Sequence, residues 1–200
     1  MSSSKELESE SDGQSHGSWS SELWEIVKVL LVSLAIVLPI RYFIAQPFIV
    51  RGASMEPNFE NSEYLVIDEA SYYFRKPERG EVIVFRYPRD PRQFFIKRII
   101  GLPGETVEIK GGRISIFNPS HSEGFLLQET YLNPPNRPTH PDVKVMLAER
   151  QYFVLGDNRD FSSDSRVWGT LSREFIVGRA LFRVWPPAKF GLTPDFSREF

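Results

Sequence analysis

An apolar stretch near the N-terminus is the longest hydrophobic feature of the chain. Between residues 29 and 40 only one serine and one proline interrupt the apolar residues. That run alone is too short to cross a bilayer, but a helix over residues 23–45 would extend roughly 34 Å at about 1.5 Å per residue, which is enough. Lys28 and Arg41 would then extend toward the two interfaces. We therefore predict a transmembrane helix over residues 23–45. The alternative, a buried helix of a soluble protein, would ordinarily have a polar face, which this segment lacks.

Residues 1–22 are polar and rich in serine, without an apolar period, and we predict a disordered tail. Residues 1–25 contain one lysine and six acidic residues, a charge of −5. A cleaved secretory signal would begin with basic residues, and an organellar transit peptide would be rich in arginine. The acidic tail therefore favours an uncleaved anchor in a bacterial protein.

Beyond residue 45, short runs of Val, Ile, Phe and Tyr alternate with turn residues, and no long 3.6-residue period follows. This pattern predicts a mainly β domain over residues 46–200. Gly111 and Gly112 predict a tight hairpin, because glycine accepts the positive φ of a two-residue turn. Residues 118–142 carry five prolines and are predicted to be an extended surface excursion. The predicted strands are 63–68, 81–87, 93–100, 106–110, 113–117, 143–147, 151–155 and 175–185.

The composition of the chain excludes several kinds of functional site. The chain of 200 residues is 41% hydrophobic, with 16 Phe and 7 Tyr, which is enough for a core and favours strands. A net charge of −2 gives no positive field for nucleic acid, so we expect none to bind. The absence of cysteine excludes disulfides, thiol nucleophiles and cysteine-ligated metals. Three histidines, at positions 16, 121 and 140, show no metal spacing, and we expect no metal and no cofactor.

A lysine inside an apolar strand is the first candidate catalytic group. In an extended run Phe95, Lys97 and Ile99 share one face, and Arg98 points to the other. Burial disfavours an ammonium ion, so a buried lysine has a lowered pKa and can act as a neutral base. Such a base would activate a serine hydroxyl, which is a weak nucleophile alone. The alternative is that Lys97 and Arg98 are ordinary charges on an edge strand.

A polar segment over residues 156–169 is the second candidate. Its acids and arginines are typical of a hydrogen-bonded turn, but the spacing from Asp157 also resembles the start of a calcium loop. A calcium loop needs glycine at its sixth position and glutamate at its twelfth. Those positions are Ser162 and Trp168 here, so calcium is excluded.

Four segments in this order resemble the conserved boxes of the bacterial type I signal peptidases. They are S-M-E-P-N at residues 54–58, R-G-E-V-I-V-F at 79–85, F-I-K-R-I-I-G-L-P-G-E at 95–105 and G-D-N-R-D-F-S-S-D-S-R-V-W-G at 156–169. The resemblance extends from about residue 48 to 185. It implies a β-rich domain like those of signal peptidases and self-cleaving repressor proteases, preceded by one membrane helix. The implied activity is that of a membrane-bound serine endopeptidase, which cleaves signal peptides from pre-proteins after small-x-small sites.

The resemblance also implies roles for individual residues. Ser54 matches the nucleophile and Lys97 matches its general base. Ser162 matches a serine that orients the lysine amine, and Asp164 and Arg166 match an ion pair that shapes the site.

Two positions depart from the family pattern. Gly52 lies where some members supply a hydroxyl to the oxyanion hole, so a backbone donor or a water has to substitute here. Asn58 replaces the usual threonine. The residues that match the lining of the pockets for small substrate side chains are Phe48, Val50, Met55, Phe95 and Ile96.

The implied partners are signal-peptide-bearing pre-proteins and a lipid bilayer, with the protein acting as a monomer. The implied location is the bacterial plasma membrane, or an internal membrane of thylakoid type, with the catalytic domain on the extracytoplasmic side. Two other functions stay open. One is a self-cleaving repressor-type protease, against which the anchor and the missing DNA-binding module argue. The other is a membrane-tethered β domain used for binding, against which the joint presence of Ser54, Lys97 and Ser162 argues.

Overall fold

The computed structural model describes residues 19–39, 45–194 and 196, which form two units. The first is a single helix, α1 (Trp19–Pro39). It begins four residues before the predicted start of the transmembrane helix at residue 23, and Glu22 in its first turn complements the positive end of the helix. Residues 1–18 of the predicted tail lie outside the described residues.

The side chains around α1 are largely apolar and exposed, among them Leu23, Leu30 and Ile36. Among the described residues, no helix combines the length and the apolar character that crossing a membrane requires. The predicted span also takes in residues 40–44, which lie outside the described residues. The transmembrane helix therefore stays a prediction.

The second unit is mainly β, as the sequence predicts. Its elements are β1 (Ala45–Ile49), β2 (Tyr64–Asp68), α2 (Ser71–Phe74), β3 (Val82–Tyr87), β4 (Asp90–Gly101), β5 (Thr106–Lys110), β6 (Arg113–Asn118), β7 (His121–Leu126), β8 (Val143–Met146), β9 (Gln151–Leu155), α3 (Ser165–Trp168), β10 (Leu171–Ser172), β11 (Ile176–Trp185) and β12 (Gly191–Leu192), with single 3₁₀ turns at Arg173–Phe175 and Pro187–Lys189. Two antiparallel sheets contain all twelve of the described strands. The large sheet has the order β1-β2-β11-β3-β4-β9-β10, with β12 paired to β11, and the small sheet has the order β7-β6-β5-β8.

Both faces of the large sheet are buried at β3. Ile83 and Phe85 pack into one apolar cluster, and Val82 and Val84 pack into another. Because successive strand residues point to opposite faces, burial on both faces requires a continuous apolar run rather than an alternating one. The small sheet has its own core cluster, which Ile100 of β4 also joins.

The predicted hairpin at Gly111 and Gly112 is confirmed. Lys110 pairs with Arg113 across it, and the two glycines have φ values of +56° and +80°. An L-residue with a side chain is strained at such angles, which explains why glycine occupies both positions.

The structure differs from the predicted surface excursion over residues 118–142. Residues 121–126 form strand β7, and several of the residues that follow are buried. Apolar side chains such as Tyr131 enter the small-sheet core, and buried polar side chains find partners in the segment that follows β9. The buried residues of the stretch are Leu127, Glu129, Tyr131, Leu132 and Thr139.

Candidate active site

Three segments meet beside the edge of the large sheet. Ser54 lies in the turn that follows β1, Lys97 lies on β4, and residues 156–164 form the loop that follows β9. The Lys97 Nζ lies 2.7 Å from the Ser54 Oγ and donates a further hydrogen bond of 2.8 Å to the Ile96 carbonyl. The structure thus brings the predicted nucleophile and the predicted base into direct contact.

Lys97 is only 3% exposed. Burial lowers the pKa of its amine from 10.5 to about 8, whereas the nearby Asp164 and Asp157 carboxylates act in the opposite direction. The amine is therefore substantially neutral at mildly alkaline pH, and it can then accept a proton from a hydroxyl. The alternative that Lys97 and Arg98 are exposed edge charges is wrong, because Arg98 is 0% exposed.

Arg98 leaves the opposite face of β4 and forms a buried, two-pronged ion pair with Asp157. Its Nε lies 2.8 Å from Oδ1, and its Nη2 lies 2.6 Å from Oδ2. The remaining prong donates to the Gly80 carbonyl at 2.7 Å. This pair fixes the loop after β9 against the strand that carries Lys97.

The residue after Asp157 holds the nucleophile turn, which is the turn that carries Ser54, the predicted nucleophile. The Asn158 backbone N–H donates to the Ser54 carbonyl at 3.0 Å, and its side-chain Nδ2 donates to the Ala53 carbonyl at 3.0 Å. Asn58 adds a contact of 2.9 Å from its own Nδ2 to the Asp157 carboxylate. The sequence pattern does not predict these positioning contacts, although all three residues lie inside the matched boxes.

Asp164 and Arg166 form the predicted ion pair, with Nε–Oδ1 at 2.8 Å and Nη2–Oδ2 at 2.7 Å. The Asp164 carboxylate also accepts the Gly156 N–H at 3.1 Å and caps α3 by accepting the Arg166 N–H. Arg166 in turn donates to the Arg159 and His140 carbonyls at 2.8 and 2.6 Å. The pair therefore joins the beginning and the end of the loop that follows β9.

Ser162 lies in the same loop, but its predicted bond to the Lys97 amine is not formed. Its Oγ is buried and has no hydrogen-bond partner in the described part of the chain. The hydroxyl packs against Gly156, where an added Cβ would lie 2.2 Å from the Ser162 Oγ and 2.4 Å from the Ser54 carbonyl oxygen. Only glycine allows the two loops to approach this closely.

The backbone N–H of Ser54 is free to donate to an oxyanion. No residue in 19–39, 45–194 or 196 accepts the Ser54 N–H. The Gly52 N–H is already used, because it donates to the Asn61 side chain at 2.9 Å. Gly52 has a φ of +86° and its surroundings are open, so the residue serves the turn geometry rather than close packing.

A groove of about 750 Å³ runs past the two residues, and both Ser54 and Lys97 line it. Four of the predicted substrate-binding residues line it as well, namely Phe48, Val50, Phe95 and Ile96. Met55 differs from the prediction. It is 1% exposed and belongs to the core cluster beneath the nucleophile turn, because its side chain points away from the groove. No group of three potential ligand side chains that could hold a metal ion occurs among the described residues.

Comparison with known proteins identifies the class. A family model described as signal peptidase, peptidase S26, matches residues 23–185. The chain is 38% identical to "Probable signal peptidase I-1" of Synechocystis sp., over 87% of this chain and 90% of that protein. It is 38% identical to "Signal peptidase I" of Leptolyngbya laminosa, over 86% of this chain and 84% of that protein. It is 30% identical to "Signal peptidase IB" of Staphylococcus aureus, over 84% of this chain and 93% of that protein. The protein is therefore a peptidase. The chain belongs to the signal peptidase family, as a type I member.

The burial of Lys97 predicts a measurable cost in stability. Below pH 8 the folded protein holds a buried ammonium, and the lowered pKa corresponds to roughly 3 kcal/mol at about 1.36 kcal/mol per pKa unit. Between pH 8 and 10.5 the unfolded chain binds more protons than the folded one, so stability rises with pH. Lys97→Met should therefore be more stable than the wild type at pH 7, with an advantage that shrinks toward pH 10.

Urea unfolding of both proteins across this pH range measures the difference. Lys110→Met serves as the control, because Lys110 is exposed and pays no burial penalty. Parallel pH dependences for the wild type and Lys97→Met would contradict the burial of a charged amine.

Proposed function

We propose that this signal peptidase removes signal peptides from pre-proteins with Ser54 as the nucleophile and Lys97 as the general base. The single observation that carries the proposal is the 2.7 Å contact between the serine hydroxyl and a buried amine whose pKa is lowered to about 8. A serine hydroxyl needs an adjacent base, and a lysine serves only when its ammonium is disfavoured.

The reaction then proceeds in two halves. Neutral Lys97 takes the hydroxyl proton while the Ser54 Oγ attacks the scissile carbonyl, and the Ser54 N–H donates to the developing oxyanion. The Lys97 ammonium protonates the leaving amine, which releases the mature protein and leaves the signal peptide as an acyl-enzyme. The neutral amine then takes a proton from a water molecule as that water attacks the ester, and the resulting Lys97 ammonium returns the proton to the Ser54 Oγ when the signal peptide leaves.

The groove favours an extended substrate with small side chains. β1 pairs with β2 alone among the described strands, and β9 pairs with β4 only from Arg98 onward. Residues 92–96 of β4 therefore have an open edge that faces the groove, as β1 does, and a peptide strand can hydrogen-bond there. Phe48, Val50, Phe95 and Ile96 narrow the space near Ser54 and reject large side chains by overlap.

The proposal gives Ser162 a role in orienting the Lys97 amine. Its buried Oγ lacks a partner among the described residues, and an unsatisfied buried hydroxyl is costly. A bond to the amine during the reaction would satisfy it. The Asp164–Arg166 ion pair stabilises the loop that carries Ser162.

We further propose that residues 23–45 anchor the protein as a single-pass segment in a bacterial plasma membrane or a thylakoid-type membrane, with the catalytic domain on the extracytoplasmic side. A helix that exposes apolar side chains all round is unfavourable in water and favourable in lipid. Pre-proteins in transit and the lipid bilayer are then the partners, and the enzyme acts as a monomer.

Removing either member of the dyad tests the reaction. Ser54→Ala and Lys97→Met should each lower cleavage of a small-x-small peptide by on the order of 10³-fold or more, because nucleophile and base act as one unit. Cleavage is followed by mass spectrometry, with Lys110→Met as the matched control. Turnover near that of the wild type in folded Lys97→Met would refute the assignment.

The pH dependence of cleavage tests the base more directly. The fraction of neutral amine rises with pH, so kcat/KM should increase through an acidic limb with a midpoint near pH 8 and then level off. The profile is measured on a soluble peptide, with circular dichroism at each pH to confirm the fold. A flat profile from pH 5 to 9 with an intact fold would exclude Lys97 as the titrating base.

Membrane attachment is tested by fractionation of cells that express the full chain. The protein should sediment with membranes, resist an alkaline wash and dissolve in detergent. Exchange of Leu31 and Val32 for aspartate should release it, because each charge near the centre of a span costs roughly 3 kcal/mol. Recovery of the unchanged chain in the soluble fraction without detergent would contradict the anchor.

A further inference from the structure

A short segment outside all four matched boxes contacts three of them. This segment, residues 129–131, follows β7 and belongs to the stretch that the sequence predicts to be a surface excursion. Tyr131 accepts a hydrogen bond of 2.8 Å from the Asn58 side chain at its carbonyl. Its ring lies 4.2 Å from the Arg98 guanidinium, and its hydroxyl lies 3.3 Å from the Arg159 guanidinium. One buried tyrosine thus joins the nucleophile turn, the Lys97 strand and the loop after β9.

Glu129 completes the connection through a buried ion pair. Its carboxylate accepts from the Arg159 Nη1 and Nη2 at 3.0 and 2.5 Å, and it also accepts the Tyr131 hydroxyl at 2.6 Å. The side chains of Arg159 and Glu129 are 0% and 5% exposed. Thr139 takes a further Arg159 donor, and the Arg159 Nε donates to the Gly156 carbonyl at 3.0 Å. The arginine is thereby held in one geometry.

Each of the three contacted residues is close to the reacting groups. Arg98 follows Lys97 in β4, and Asn58 lies in the turn that carries Ser54. Arg159 follows Asn158, whose backbone N–H donates to the Ser54 carbonyl. A shift of residues 129–131 would therefore be transmitted to both members of the dyad. In a site of this kind, a displacement of about 1 Å can cost about 100-fold in rate.

We propose that Glu129 and Tyr131 are positioning residues of the peptidase, which hold the nucleophile turn, the Lys97 strand and the loop after β9 in register. The inference rests on the proposed roles of Ser54 and Lys97. It assigns to the proline-rich stretch a part in catalysis that its sequence does not suggest. Neither residue touches the groove, so each acts on the turnover step rather than on substrate binding.

The test compares four variants of the full chain in detergent micelles. Tyr131→Phe removes only the hydroxyl, Tyr131→Leu also removes the ring over Arg98, and Glu129→Gln removes the buried charge. Ile114→Ala is the control, because Ile114 belongs to the same apolar cluster but lies on β6 of the small sheet. For each protein, kcat and KM are measured on a small-x-small peptide well below the melting temperature, which is measured separately.

The expected result is a loss in kcat with KM within about twofold of the wild type. Tyr131→Phe loses the hydroxyl contacts with the Glu129 carboxylate and the Arg159 guanidinium, and Glu129→Gln loses the charge that pairs with Arg159. Each change predicts about a tenfold lower kcat, with a larger loss for Tyr131→Leu. Ile114→Ala should lower the melting temperature and leave kcat within about twofold. Such a split separates positioning from a contribution to stability alone.

Wild-type kcat in both Tyr131→Phe and Glu129→Gln would overturn the inference, and these two variants keep the test valid if Tyr131→Leu does not fold. A loss of kcat in Ile114→Ala equal to that of the other variants would overturn it as well. Ser54→Ala is measured in parallel. Activity in that variant would refute the proposed function, which is a different outcome from the failure of the positioning role.

Discussion

The buried ion pair between Arg98 and Asp157 is the constraint on which the geometry of the site depends. Lys97 and Arg98 leave opposite faces of one strand, so the position of Arg98 sets the position of the amine. Asp157 precedes Asn158, whose backbone and side chain hold the turn of Ser54. The pair therefore joins the two ends of the 2.7 Å contact between the proposed nucleophile and the proposed base. A buried pair adds little net stability, but its two-pronged geometry permits only one arrangement.

The same burial that lowers the pKa of Lys97 works against the fold. A chemically useful amine requires a desolvated site, and desolvation penalises the charged form that prevails at neutral pH. Asp164 and Asp157 oppose the shift in pKa and so keep the penalty moderate. Apolar packing elsewhere offsets this loss of stability, since β3 is buried on both faces and the small sheet has a separate core. Stability is thus given up locally for reactivity, as is common at active sites.

Much of the fold was predictable from local pattern, whereas part of the site was not. The β-strand runs and the Gly111–Gly112 hairpin depend on residues close together in sequence, and they are observed within a few residues of their predicted bounds. The assignment of Ser54 as nucleophile and Lys97 as base depends on the resemblance to a family. The burial of Glu129 depends on Arg159, thirty residues later, and no periodicity reports such a pair. The buried position of Met55 could not be predicted from the sequence either, because a residue in a turn does not follow the inward and outward alternation of a strand.

The departure at Asn58 gains a physical meaning in this structure. A threonine hydroxyl has a single donor, whereas an asparagine amide nitrogen has two. The Asn58 Nδ2 uses both, one for the Tyr131 carbonyl at 2.8 Å and one for the Asp157 carboxylate at 2.9 Å. The nucleophile turn is thereby tied to the loop after β9 and to the segment of residues 129–131 at once. Asparagine at this position and the buried Tyr131 therefore belong to one network, in which a threonine would leave one of the two acceptors without its donor.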